Sequence, residues 1–129
     1  MAKRIREKAA QRKANADKRP SAHVTNVGIS STKVSLVLDL VRGQKAELAV
    51  AILGSTPNGA AVVVKKLIES AMANAEHNLG LSKSDLYVAE IFCTQGPSMK
   101  RMNVRGRGRA DIILRRSSNI TVILDQVKA

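Results

Sequence analysis

Apolar residues return at two different periods in this sequence, and the change of period divides it. Between about residues 30 and 77 they recur every three or four positions, the spacing of one helical face. Val34, Val37, Leu38 and Val41 make the first stripe, capped by Ser30 or Ser31, running to about Arg42 and closed by Gly43. A shorter helix is predicted over 46–53, stopping at the turn cluster Gly54-Ser55-Thr56-Pro57. The third and longest follows Asn58, with Ala60, Val63, Val64, Leu67, Ile68, Ala71, Met72 and Ala75 in one stripe as far as His77. Its late alanines let a neighbouring element approach closely. After Asn78-Leu79-Gly80 the period becomes two. Leu86, Val88, Glu90 and Phe92 alternate with Tyr87, Ala89, Ile91 and Cys93, and Ile120, Val122 and Leu124 alternate with Asn119, Thr121, Ile123 and Asp125. Residues 23–29 alternate more weakly and give a short additional strand. The expected fold is α+β, with three helices packed on a small antiparallel sheet.

Two stretches fit neither period. Residues 1–20 have no apolar face wide enough to pack, so they read as a disordered or weakly helical tail that orders on a partner and ends at Pro20. Residues 21–129 are then a single α+β domain. Within it, twenty-one residues, from Gly96 to Arg116, separate the two best strands. Antiparallel neighbours need a loop of only about two to five residues. The segment is therefore either a floppy basic loop or a continuation of both strands into a long ribbon over about 96–117. Such a ribbon would reach about 35 Å at the usual rise per residue. A body of this size has a radius of gyration of only about 13 Å. A lone two-stranded ribbon is marginal in water and needs a partner to hold it. The apolar residues Met99, Met102, Val104, Ile112, Ile113 and Leu114 favour the ribbon, packed across itself or against bases.

Charge says what that partner is. Residues 1–20 hold eight Lys and Arg (Lys3, Arg4, Arg6, Lys8, Arg12, Lys13, Lys18 and Arg19) against two acidic residues. Residues 98–129 again hold eight against two, whereas 21–97 hold six of each. A neutral body with two basic arms is the footprint of a protein embedded in a polyanion. With one Phe, one Tyr and no Trp, it cannot stack bases on an aromatic platform. Phosphate charge, close backbone approach and flat guanidinium groups remain. Arg105, Arg107 and Arg109 alternate with Gly106 and Gly108. In an extended chain the three arginines share one face, and the glycines allow either close backbone contact or a turn with positive φ. Lys100, Arg101, Arg115 and Arg116 guard the ribbon's base.

Catalysis finds no support. His23 and His77 are the only histidines, His77 lies at a helix end, and Cys93 belongs to a strand core. No carboxylate pair, metal-ligand spacing or nucleophile with a base is present, so no enzyme, metal or cofactor is expected. A single cysteine forbids an internal disulfide and points to a reducing compartment. No apolar run spans a bilayer, and the N-terminal segment has no secretory h-region.

The segments GPSMKRMNVRGRGRAD and ILRRSSNITVIL, with SSTKVSLVLDLVRG and VKKLIESAMANAEHN upstream, resemble the large-ribosomal-subunit protein family numbered twenty-two, bacterial or plastid type, over roughly 24–125. The resemblance implies an α+β body beside the exit of the nascent-peptide tunnel, a hairpin lining the tunnel wall, binding to several domains of large-subunit 23S rRNA, and a role early in subunit assembly. By position, the rRNA contacts implied are Ser31, Lys33, Arg42, Ser98, Met99, Lys100, Arg101, Arg105, Arg107, Arg109, Arg115 and Arg116. The implied tunnel-facing tip is Asn103, Val104, Arg105, Gly106, Arg107, Gly108, Arg109 and Ala110. Ser35 and Asn119 stand where the family often has Arg and His. The implied partners are rRNA, neighbouring large-subunit proteins and the nascent polypeptide, without membrane or homo-oligomer, in the cytoplasm rather than the plastid stroma. A free nucleic-acid chaperone or nucleoid protein is the main rival, since it shares the basic arms but needs no ribbon of fixed length.

Overall fold

The computed structural model describes residues 2–127. Helix α1 (Ala2–Ala14) stands apart. Then follow strand β1 (Ser21–Val27), helices α2 (Ser31–Val41), α3 (Ala46–Ser55) and α4 (Gly59–Leu79), a 3-10 turn at Lys83–Asp85, and strands β2 (Leu86–Gln95), β3 (Met99–Val104), β4 (Ala110–Arg115) and β5 (Ser118–Gln126). Strands β1, β5 and β2 form one antiparallel sheet in that order, and β3 with β4 forms a second. The expected α+β architecture is present, with α4 packed over β1 and β5 and α2 over β2, while α3 leans on α4.

The helical stripes become the core. Val34, Val37, Leu38 and Val41 are buried, as are Ala60, Val64, Leu67, Ile68, Ala71, Met72 and Ala75. Ala61 joins them and Val63 is only half-buried. Asn58 caps α4 by accepting a hydrogen bond from the Ala60 amide at 3.0 Å. The α2–α3 connection covers the outer edge of β2: the Gly43 amide donates to the Val88 carbonyl and the Val88 amide to the Gln44 carbonyl. That pairing satisfies an edge that would otherwise invite another strand.

The single alternation expected for β2 is corrected by the structure. Its register against β5 shifts between Val88 and Glu90, a β-bulge that carries the strand's inward side onto the other parity. Leu86 and Val88 face the helices together with Ile91 and Cys93, whereas Phe92, expected beside Val88, lies opposite Thr121 and is 45% exposed. The sheet's outer face carries His23, Thr121 and Phe92 in one row.

The ladder of β2 and β5 stops where the arm begins. Gln95 still pairs with Ser118, and the Gly96 amide donates to the Ser117 carbonyl at 2.9 Å. Pro97, with no amide hydrogen to give, follows. The ladder resumes from Met99 and Arg115 and runs to Val104 and Ala110. Gly96 is required here: a Cβ would lie 2.5 Å from the Ser117 hydroxyl oxygen and 3.2 Å from its carbonyl carbon. Every residue of β3 and β4 is exposed.

Ser118, at the junction, is fully buried and its hydroxyl has no hydrogen-bond partner among the described residues. An orphaned buried hydroxyl costs about 1–3 kcal/mol. Ser118→Ala should leave the melting temperature unchanged or raise it; a clear fall would mean the hydroxyl is bonded. Removal of 99–114 should leave the body's melting temperature within a few degrees of the intact chain, since the arm adds nothing to the core. A large drop in calorimetry would contradict that.

Candidate nucleic-acid interface

The arm's register sorts its side chains. Residues directly opposite in an antiparallel pair share a face. Met99, Arg101, Asn103, Asp111, Ile113 and Arg115 therefore occupy one side, and Lys100, Met102, Val104, Ala110, Ile112 and Leu114 the other. The first side is mixed and basic. The second is apolar beyond Lys100, yet Met102 is 76% and Val104 79% exposed. Met102 stands opposite Ile112 and Val104 opposite Ala110, whereas Met99 and Ile113 lie on the first side opposite Arg115 and Arg101 and Leu114 opposite Lys100, and all six apolar residues stay exposed.

At the tip the chain turns over 105–109, between the paired residues Val104 and Ala110. The Arg105 amide donates to the Arg109 carbonyl at 2.8 Å, and the Arg109 amide to the Gly106 carbonyl at 3.3 Å. Arg107 and Gly108 both adopt positive φ, 57° and 73°. Glycine takes this conformation without strain, and Arg107 holds it with a side chain attached. Arg105, Arg107 and Arg109 thus fan around a turn and do not share the face of an extended strand. Arg105 is partly occupied: its Nε donates to Asp111 Oδ2 at 2.6 Å. The other arm cations have no acidic partner among the described residues.

The arm's root meets the body with Met99, Arg101 and Arg115 of the first side and Leu114 of the second. A cleft of about 990 Å³ opens between the β1–α2 loop and the root of the arm. Lys33, Arg101, Arg115 and Arg116 line it with Asn26, Ser30 and Ser117, and no carboxylate does. Asn26 is held at φ 57° by a β-bulge in β1, and its amide donates to Asn119 Oδ1 at 3.0 Å. Asn119, standing where a histidine is frequent in the resembled family, is thus a structural acceptor. The Ser35 hydroxyl bonds within its own helical turn, donating to the Thr32 carbonyl at 2.9 Å. Four cations converging with neutral donors and no acid make a cradle for phosphate oxygens.

The sequence-named residues divide accordingly. Lys33 joins Met99, Arg101, Arg115 and Arg116 around the cleft, with Ser31 at the start of α2 beside it. Ser98 is half-buried in the arm's root, and Lys100 faces away on the apolar side. Arg42 lies at the far end of α2, where it binds Asp39 at 2.7 Å and the Ile91 carbonyl at 3.3 Å. In the tail, Lys3, Arg4, Arg6, Lys8, Arg12 and Lys13 are exposed on α1. Arg19 instead bridges Asp17 at 2.6 Å and Glu90 at 2.8 Å. Its bonds to the Asp17 carboxylate hold that group below the usual carboxylate range. Sequence reading missed Asn26, Gly28, Ile29 and Ser30, whose only signal was a Gly and Ser turn before the first stripe.

Chemical groups for catalysis are scattered. His23 lies on the outer sheet face, His77 in the last turn of α4, and no group of three metal-ligating residues occurs among the described residues. Among the described residues, no helix is long and apolar enough to cross a membrane. The fold and cleft define a basic α+β protein with an exposed two-stranded arm and a cation-lined cleft at the arm's root.

Comparison with known proteins makes that more specific. The profile of ribosomal protein L22p/L17e matches residues 22–125, and the chain belongs to this family of structural, non-enzymatic ribosomal components. It is 53% identical over 102 residues to the large ribosomal subunit protein uL22 of Desulforamulus reducens, covering 79% of this chain and 90% of that one. It is 50% identical over 107 residues to the uL22 of Buchnera aphidicola, covering 83% and 86%.

Cys93 offers a check on the packing beside this interface. Its thiol donates to the Ser31 carbonyl at 3.3 Å, and burial, with the Asp39 carboxylate nearby, pushes its pKa above the ordinary value. The neutral thiol is favoured in the fold, so the thiolate forms only at higher pH than in the unfolded chain. Alkylation of the native protein between neutral pH and about pH 9 should be several-fold slower than in denaturant, with its rise displaced to higher pH. Equal rates would show that the β2–α2 contact is open.

Proposed function

We propose that this chain is a structural constituent of the large ribosomal subunit, that it binds 23S rRNA across several domains, and that it assists early subunit assembly. Its body lies beside the outlet of the nascent-polypeptide tunnel. The arm runs inward along the tunnel wall and presents residues 103–110 to the passing chain. Neighbouring large-subunit proteins and the nascent polypeptide are its other partners, and the cytoplasmic bacterial ribosome is its place of work.

One observation carries this reading. The arm is exposed along its whole length, basic on one side and apolar on the other, and gives nothing to its own core. Such a ribbon is costly unless something surrounds it. Folded rRNA supplies both surfaces it needs: phosphates for Arg101, Arg115 and Arg116, and base faces for Met102, Val104, Ile112 and Leu114. The cleft, where Lys33 faces the arm's root, receives a phosphate backbone and fixes the angle of the arm.

The test is replacement of Arg105, Arg107 and Arg109 by Ala in cells that depend on this protein. Subunits should still incorporate it through the cleft, while chemical probing shows exposed nucleotides confined to the arm's path. Unchanged reactivity there, or recovery of the protein mainly with DNA, would overturn the assignment.

A further inference from the structure

The six cations of α1 are arranged in a way the family match does not account for, because that match begins at residue 22. Residues 3–14 are exposed throughout, and the only large apolar side chain among them, Ile5, is 65% exposed. A helix without an apolar stripe has nothing to bury against the body. It also has nothing to sink into a bilayer, since membrane-surface helices need an apolar face opposite the charged one.

The positions of the charges are more informative than their number. At about 100° per residue, Arg4, Lys8 and Arg12 fall in one line along the helix, and Arg6 and Lys13 fall on the opposite side. A helix lying on a single strand, or flat on an anionic surface, uses cations on one side only. Cations on opposite sides suit a cylinder flanked by negative charge on both sides, which is the situation inside the groove of a nucleic-acid double helix. No aromatic residue is present in α1 to stack on unpaired bases.

We propose that α1 is a separate RNA-binding element that enters the groove of a double-helical RNA segment. An α-helix with its side chains is about 10–12 Å across. The major groove of regular A-form RNA is too narrow for it. The target is therefore a duplex whose groove is opened by a bulge or internal loop. This rests on the partner being RNA, as above, but concerns an element outside the region shared with the family.

The energetics of α1 agree. Thirteen residues without tertiary packing are marginal as a helix. Arg4 with Lys8, and Lys8 with Arg12, are like charges four apart, and Lys3, Arg4 and Arg6 crowd the positive end of the helix dipole. Phosphates on both flanks relieve these repulsions, so binding and helix formation reinforce each other. Arg19, clamped to Asp17 and Glu90, fixes where the tail leaves the body. The few residues after Ala14 form the joint that swings the helix into place.

The experiment uses the full chain carrying Arg4→Ala, Lys8→Ala and Arg12→Ala, or Arg6→Ala and Lys13→Ala, each with and without the arm-tip substitutions. The probes are a short RNA duplex with a bulge, the same duplex without it, a single strand of equal length, and vesicles containing phosphatidylserine. Each set should weaken binding to the bulged duplex by about tenfold at physiological salt and flatten the salt dependence. Circular dichroism should show helix gained when the bulged duplex is added to the unaltered chain. Loss from one set alone, equal binding to the single strand or the regular duplex, or the same helix gain on vesicles would overturn the proposal. An arm that leaves no footprint on subunits would sink the ribosomal placement and leave these measurements untouched.

Discussion

Strand β5 is bonded on both sides, to β1 along one edge and to β2 along the other, and the interface exists because of it. Its first residue, Ser118, stands opposite Val27 of β1 and Gln95 of β2. Three otherwise distant pieces of chain therefore meet at one point: the loop into α2, the strand that leaves for the arm and the strand that returns. The cradle of Lys33, Arg101, Arg115 and Arg116 is a by-product of that meeting. A one-residue slip of β5 would turn Ile120, Val122 and Leu124 out of the core and part the arm's root from the loop.

The count of 22 Lys and Arg overstates the cations left unpaired. Arg19, Arg42 and Arg105 each bind a carboxylate of the same chain, so they serve as fasteners at the tail's root, the end of α2 and the arm's tip. Cations with no such partner concentrate on α1, around the cleft and at Arg107 and Arg109. The body between them holds itself together with aliphatic side chains and small residues alone. Binding strength and fold stability are thereby carried by different residues, which lets the basic surfaces repel one another without loosening the core.

How much could be read from the sequence followed from how local each signal was. The stripe of α4, its Asn58 cap and Gly80 after its end are all set within a few residues, and the structure matches them. The arm was legible because one length and one composition excluded a short hairpin. The bulge in β2 was hidden, since one inserted residue leaves an alternation that fits either face until Val122 and Thr121 choose between them. The convergence of Lys33 with the arm's root was hidden as well: it depends on strand order, which no local pattern encodes. Helix α1 lacked the apolar stripe by which helices are usually recognised, so its charge was plain while the choice between a disordered and a weakly helical tail stayed open.

The order in which the pieces are made has its own consequence. The central strand of the sheet is the last described element to be synthesised, after both its neighbours and the whole arm. Until it arrives, β1 and β2 have no strand between them, and the helices have only half a floor. During translation the tail is therefore complete long before the body can close, whereas the arm directly precedes the closing strand. A sheet made this way closes in one step, when its last described strand pairs along both edges at once.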